Sequence, residues 1–480
     1  MAPSRAFPLV AAIVGLVAHP AAATPTPVLL EQFCGGCHFE GAAEGGVALD
    51  KLVAAQTATP RPAANSPDHL AWVNAWKNLL AETMPPADEP QPTVEQRREL
   101  VAFVSRDVLG VDPGRPDPGR VVLRRLNRVE YANSVRDLTG IEQDLLDDLP
   151  ADDTGYGFDT IGEVLSLSPM LLEKYLELAA DVAARVLAGA ADRRGLEYPA
   201  AVQRLFPLGP PPDDPAAHAE HLRTTLRRLA ERGFRRPVDD ANVSRLVAVA
   251  TKAMESPGGS FEAGVAAAVT AVLASPRFLF RLEEPASAEV AIASRAVPID
   301  EFALATRLSY FLWSTLPDDE LFELARSGRL RAELARQVER LIQDPRADAF
   351  VENFVGQWLQ TRDVEALPFD IAKVLGLADR RVGEQIFSPA VRRGMRLETE
   401  LLFAHVLRSG LPATDLLVGR ETFLNEPLAR FYGIPDVAGD AMRLVDVPPE
   451  SPRGGLLSHG SFLVVTSNPT RTSPVKRGLF

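Results

Sequence analysis

The sequence predicts a mainly α-helical protein of several domains, with room for short strands only near its C-terminus. Three observations carry that expectation. Helix-capping residues followed by apolar residues at helical spacing recur along the chain. Pro- and Gly-rich breaks at 111–120 and 191–220 separate the helical stretches. No segment shows sustained strand alternation except Gly455 to Thr466. A chain of 480 residues has room for roughly three domains, each able to bury a core of its own. The formal net charge of −13 argues against a nucleic-acid partner, because phosphate binding needs a basic face.

The N-terminus reads MAPSRAFPLVAAIVGLVAHPAAATPTP. Arg5 supplies a weak positive region, Phe7 to Val17 an apolar core, and Ala21 to Ala23 the small residues of a cleavage site. Residues 1–23 are expected to be a secretory signal peptide cut before Thr24, with an uncleaved anchor as the alternative. The apolar run is too short for a comfortable membrane span, and no later stretch reaches about 18 uninterrupted apolar residues. The mature chain is therefore expected to be exported, periplasmic or in the cell envelope, without a stable membrane span.

Residues 24–110 hold the most specific motif, FCGGCHFE at 33–40, which contains both cysteines of the chain. A disulfide between Cys34 and Cys37 would close a tiny loop and staple nothing. A zinc site needs about four ligands, and no second cysteine pair exists. A thioredoxin-like dithiol belongs beside a βαβ pattern, whereas the flanks here are helical. The remaining reading is the C-x-x-C-H anchor of one covalent haem c, with His38 next to the second thiol as the iron ligand. Between Thr24 and Gly110 there is a single methionine, Met84, on a loop stiffened by Pro85 and Pro86. It is the expected second axial ligand, with His69 as the competitor and a core-filling methionine as the bland alternative. Ser66 caps the helix before it, with Leu70, Val73, Trp76 and Leu80 as its expected inward face. Thr93 and Gln96 form a capping box for a last helix, Val94 to about Val108. Eleven acidic and six basic side chains between Thr24 and Gly110 suggest a redox partner with a basic patch, though acidic surface also serves solubility.

The order of a short helix, the cysteine motif, a loop, a helix, a methionine and a last helix resembles a class I cytochrome c domain over about 85 residues. The resemblance implies thioether attachment through Cys34 and Cys37, proximal ligation by His38 and distal ligation by Met84. The string EGGVALD at 44–50 is similar to a turn of planctomycete-type cytochrome c modules.

Beyond the linker at 111–120, helical domains are expected at 121–190, 221–285 and 298–433, with a Pro-rich linker at 191–220 and an incomplete domain at 440–480. Asn127 and Glu130 form a capping pair, Gly140 ends that helix, and Ser168-Pro169 starts the next. The strings RRLNRVEYANSVRDLTGI, LPADDTGYGFDTIGEVLSLSPMLLEKYLELAA, GFRRPVDDANVSRLV, ASPRFLFRLE, RLSYFLWSTLPDDEL, FLNEPLARFYGI and TSNPTRTSPVKRG resemble successive domains of one family. Its members are exported planctomycete-type multidomain proteins with a cytochrome c-like head and helical domains of unknown function. The resemblance covers essentially the whole mature chain, implies no established reaction, and suggests that this chain stops short of the family's C-terminal domain.

Other chemistry is less specific. Asp152, Asp153, Asp159 and Glu163 could hold calcium, although a helix-capping turn is the simpler reading and the spacing is not that of an EF-hand. Glu398 and His405 are two helical turns apart and could share acid–base work, against the simpler reading of an amphipathic helix. Ser458-His459 lacks a nucleophile-elbow pattern and an evident acidic partner. Arg124, Arg125 and Arg128 read as a solvated face that could also dock haem propionates or a partner. The leading expectation is an exported one-electron carrier whose helical domains dock a partner or host an unidentified reaction. The alternatives are a periplasmic haem-dependent oxidoreductase, with its substrate site in the helical part, and an interaction scaffold.

Overall fold

A computed structural model describes residues 26–58, 61–63, 66–112, 114, 122–141, 145–192, 197–285 and 297–480. The expected signal peptide and most of the linker at 111–120 lie outside these residues. The chain divides into two compact units, with the division between residues 119 and 120. The described residues are mainly helical, with a few short strands.

The first unit contains α1 (Thr26–His38), α2 (Leu49–Ala58), α3 (Pro67–Leu80) and α4 (Val94–Ala102). The Ser66 hydroxyl accepts the amide of His69 to start α3, and Pro67 fits its first turn. Thr93 and Gln96 form the reciprocal capping box of α4. From Phe103 to Val108 the helix continues as wider π-type turns. The core is built from Leu30, Leu49, Leu52, Trp72, Leu79, Leu100, Val104 and Val108. The inward face of α3 matches the expected one only in part: Trp76 packs against this core. Leu70 and Leu80 are 50% and 54% exposed, whereas Trp72 and Leu79 are buried. Trp72, with edge-on contact to Phe103 at 6.2 Å, is the larger of the two buried apolar side chains on the helix.

The second unit is organised around several cores. The largest takes residues from α5 (Arg128–Thr139), α6 (Pro169–Ala191), α7 (Ala200–Gln203), α8 (Pro215–Phe234), α9 (Asp240–Met254) and α10 (Phe261–Leu273). Asn127 and Glu130 cap α5 as a reciprocal pair, and Gly140 ends it in the left-handed region at φ 78°. The Pro-rich stretch 191–220, read from sequence as a linker, carries α7 and supplies Tyr198, Val202, Leu205 and Phe206 to this core. Its prolines start or flank helices, where a missing N–H costs nothing. Further cores lie around Trp313 and Leu341, around Val355 and Leu402, and around Phe387 and Leu428.

Strands are present near the C-terminus but not where alternation suggested. Leu456–Ser458 and Gly460–Val465 are helical turns. Glu421–Leu424 pairs antiparallel with Arg443–Asp446, and Ser467–Asn468 with Arg471–Thr472. Arg124–Arg125 also pairs with Phe280–Arg281, which joins the start of the unit to residues about 155 positions later. Among the described residues, no helix is long and apolar enough to cross a membrane.

Tyr131 packs on Tyr175 at 4.6 Å and on Phe278 at 5.8 Å between ring centroids. It is fully buried, yet its hydroxyl has no hydrogen-bond partner. An unmet buried hydroxyl costs free energy that a phenyl ring would not. Tyr131→Phe is therefore expected to keep or raise stability, by up to about 1 kcal/mol, measured as the urea midpoint at unchanged m-value.

Candidate functional site

The last turns of α1 carry Cys34, Cys37 and His38. At spacings of three and four residues, all three side chains lie on one helical face. Both thiols are free and half-buried. Burial first, and then the neighbouring Cys37, push the Cys34 thiol up to about 11. A thiol kept neutral in this way is not the low-pKa nucleophile of a dithiol oxidoreductase. His38 Nδ1 lies 2.8 Å from the carbonyl oxygen of Val47. A carbonyl only accepts, so Nδ1 carries the proton and donates it, leaving the Nε2 lone pair free for a metal.

Met84 lies on the loop between α3 and α4 and is 39% exposed. The backbone around it is fastened by two side chains. Arg97 Nη1 donates to the carbonyls of Met84 at 2.9 Å and Leu79 at 3.3 Å. Gln91 Nε2 donates to those of Pro85 at 3.2 Å and Pro86 at 2.7 Å, and Gln91 Oε1 accepts from Arg97 Nη2 at 3.0 Å. A thioether is thus offered on a loop with little freedom. His69 sits half-buried in the first turn of α3, where its amide serves the Ser66 cap.

One observation in this unit bears on whether a large group fits among these residues. The indole Nε1 of Trp76 is buried and has no hydrogen-bond partner. Trp76 packs at the edge of the same core as Cys34 and Phe33. A stranded donor in the core that also holds Cys34 would be met by a bound group that carries acceptors. Among the described residues, no three His, Cys, Asp or Glu side chains gather as a metal cluster.

In the second unit the structure gives Arg124, Arg125 and the acidic loop other roles than those considered from sequence. Arg125 is buried. Its Nη2 meets Asp152 at 2.7 Å, its Nη1 the Tyr175 hydroxyl at 3.0 Å and the Leu126 carbonyl at 2.7 Å, and its Nε the Ser166 carbonyl at 3.0 Å. Arg124 pairs with the buried Glu130. Asp152 also accepts the Arg128 amide at 2.7 Å, and Asp159 accepts from Asn127 at 2.9 Å and Arg362 at 3.1 Å. These carboxylates anchor a helix start and an inter-helix bridge, while Asp153 and Glu163 point to solvent. That is a correction to the calcium reading: the four acids do not converge, and two are neutralised by arginine.

Glu398 and His405 also take different partners. His405 faces Glu421 at 3.5 Å. Glu398 is 2% exposed and accepts from the Tyr432 hydroxyl at 2.6 Å and Thr422 at 2.9 Å. Its imidazole neighbour is His459, with Nε2 at 3.9 Å. His459 Nδ1 lies 3.0 Å from Thr399 Oγ1, which is 2.6 Å from Ser461 Oγ. The acidic partner that the Ser458-His459 string lacked in sequence therefore arrives from a helix some 60 residues earlier, Pro389–Ser409. Ser458 turns away to Gly454 and Gly455. Burial, with the nearby Asp/Glu charge of Glu398, holds the Tyr432 hydroxyl well above its ordinary value.

Comparison with known families covers most of this second unit. Residues 124–188 match PSD3, a protein of unknown function (DUF1587), and residues 221–283 match PSD5, a protein of unknown function (DUF1595). Residues 299–434 match PSD4, a protein of unknown function (DUF1592). The chain carries three domains of unknown function. No curated protein and no solved structure matches it. PSD3 and PSD5 contribute α5–α6 and α8–α10 to one core, and the Glu398 network runs between the PSD4 segment and residues after it.

Burial lowers the affinity of His459 for a proton below the ordinary 6.5, with Glu398 opposing and Arg453 adding to the effect. The unfolded chain then binds a proton near pH 6.5 that the folded chain refuses. Stability contributed by neutral His459 is present above pH 6.5 and falls as pH drops through it. Thermal melts from pH 7.5 to 5.5 are expected to show this fall, and His459→Gln to flatten it.

Proposed function

We propose that the first unit is an exported c-type cytochrome module that passes single electrons through one covalently bound haem. The observation that carries this reading is the shared helical face of Cys34, Cys37 and His38, with the His38 Nδ1 proton fixed on the Val47 carbonyl. When bound, a haem of this kind supplies one-electron redox chemistry at its iron.

The chain's own residues have separable tasks in this reading. Cys34 and Cys37 would hold the group as thioethers. His38 would hold the iron through Nε2, and the Val47 carbonyl fixes the ring's tautomer and orientation. Met84 would help hold the group through its thioether sulfur, and Arg97 and Gln91 restrict the loop that carries it. Trp76 Nε1 would donate to the bound group or to water beside it. The acidic surface of residues 24–110 would suit a partner with a basic patch. The three domains of unknown function would dock that partner or host the reaction that uses the electrons.

The test is a haem stain on denatured protein matured by periplasmic expression, followed by oxidised and reduced spectra. A covalent, reducible haem is expected, and it is lost in Cys34→Ser/Cys37→Ser. Absence of stain in the well-folded wild type would end the proposal. Met84→Ala is expected to open a coordination site to carbon monoxide and to lower the midpoint potential by roughly 100 mV or more. An unchanged potential and spectrum would remove Met84 from the ligand set.

A further inference from the structure

A cavity of about 440 Å³ lies in the second unit, where the short helices Ile371–Val374 and Arg380–Ile386 meet the start of Pro389–Ser409. Its apolar wall includes Phe369, Ile371 and Phe387, with Phe369 and Phe387 edge to face at 5.9 Å. Arg392 stands at the same wall, its guanidinium carbon 4.7 Å over the Phe387 ring.

The charges around the cavity do not all find partners. Glu365 is held by Arg396 at 2.8 Å, and Glu384 by Arg380 at 3.2 Å. Asp370 accepts the Lys373 amide at 3.1 Å. Arg392 meets only backbone: Nη1 donates to the carbonyls of Leu367 at 2.9 Å and Glu365 at 3.3 Å. Its Nε is buried with no hydrogen-bond partner. Among the described residues, no carboxylate pairs with it. Nε is closed off from the cavity, whereas Nη2 makes no hydrogen bond and stays accessible, so it is the donor left for a bound group. The volume falls within the range of small-ligand sites, which combine apolar walls with a few polar anchors.

We propose that this cavity binds a small organic carboxylate with a flat apolar body. Arg392 meets the carboxylate, and Phe369, Ile371 and Phe387 enclose the body. With Nη1 held by carbonyls and Nε closed off, Nη2 is the donor offered, and a charge-assisted hydrogen bond from it to a carboxylate is stronger than one to a neutral acceptor. The site stands apart from the haem proposal and can be tested whether or not that one holds.

The probes are benzoate, its neutral analogue benzyl alcohol, and the cation benzylamine, each titrated into the full chain by calorimetry and followed by NMR. Benzoate is expected to bind at about millimolar or tighter, at least about tenfold better than either analogue. Arg392→Gln should weaken benzoate by about tenfold or more and leave benzyl alcohol unchanged. Because Arg392 also holds two carbonyls, Ile371→Trp serves as a second variant that fills the cavity while keeping the cation, and it should abolish benzoate binding. Shifts of Phe369 and Phe387 ring signals on adding benzoate to the wild type would support the site without any substitution. No binding of benzoate to the wild type, equal binding of benzyl alcohol, or tighter binding of benzylamine would overturn the proposal.

Discussion

The second unit depends on a guanidinium that meets no carboxylate among the described residues. Arg235 is buried at the left-handed end of α8, and its donors reach the carbonyls of Arg277, Phe278 and Phe280 at 2.7 to 3.0 Å and the Tyr310 hydroxyl at 3.1 Å. Those acceptors come from the end of the PSD5 segment and from the PSD4 segment. Tyr310 in turn shares a hydrogen bond of 2.7 Å with Ser134 of α5. One side chain thus fixes three stretches of chain that lie far apart in sequence. A buried cation is tolerable there because its two terminal nitrogens are met by oriented dipoles. Removing it would take the side-chain donor from three carbonyls and leave the Tyr310 hydroxyl with Ser134 alone.

Much of this architecture is legible locally. The caps at Ser66, Thr93, Asn127 and Ser168 all hold their helices, because a cap depends on three or four consecutive residues. The rotation of α3 was less legible. Leu70 and Leu80 have the right spacing, but Trp72 and Leu79 bury more surface against Leu100 and Val104. Spacing alone does not rank competing stripes. The stretch 191–220 misleads for a related reason. Proline content marks breaks in hydrogen bonding, not absence from a core, and Tyr198 and Phe206 stack at 4.2 Å.

The candidate sites divide in the same way. Cys34, Cys37 and His38 are neighbours in sequence, so their shared face follows from helical spacing. The Val47 carbonyl that fixes His38 could not be read, because it depends on the path of the loop between α1 and α2. Glu398 was noticed from sequence but paired with the wrong histidine. Its real neighbours, Tyr432 and His459, come from elements 34 and about 60 residues away, and no local pattern signals such a meeting. Arg392 escaped notice because an arginine in a first helical turn looks like solvated surface until its surroundings are known.

The shared core of α5–α10 has a consequence for how this protein is assembled and inherited. Two segments that match separate families pack as one body: α6 lies on α10, and Tyr131 of the first touches Phe278 near the end of the second. Neither could shed the other without baring an apolar face, so the two are expected to unfold as one cooperative block. The boundaries between sequence families here do not mark where the physical unit ends.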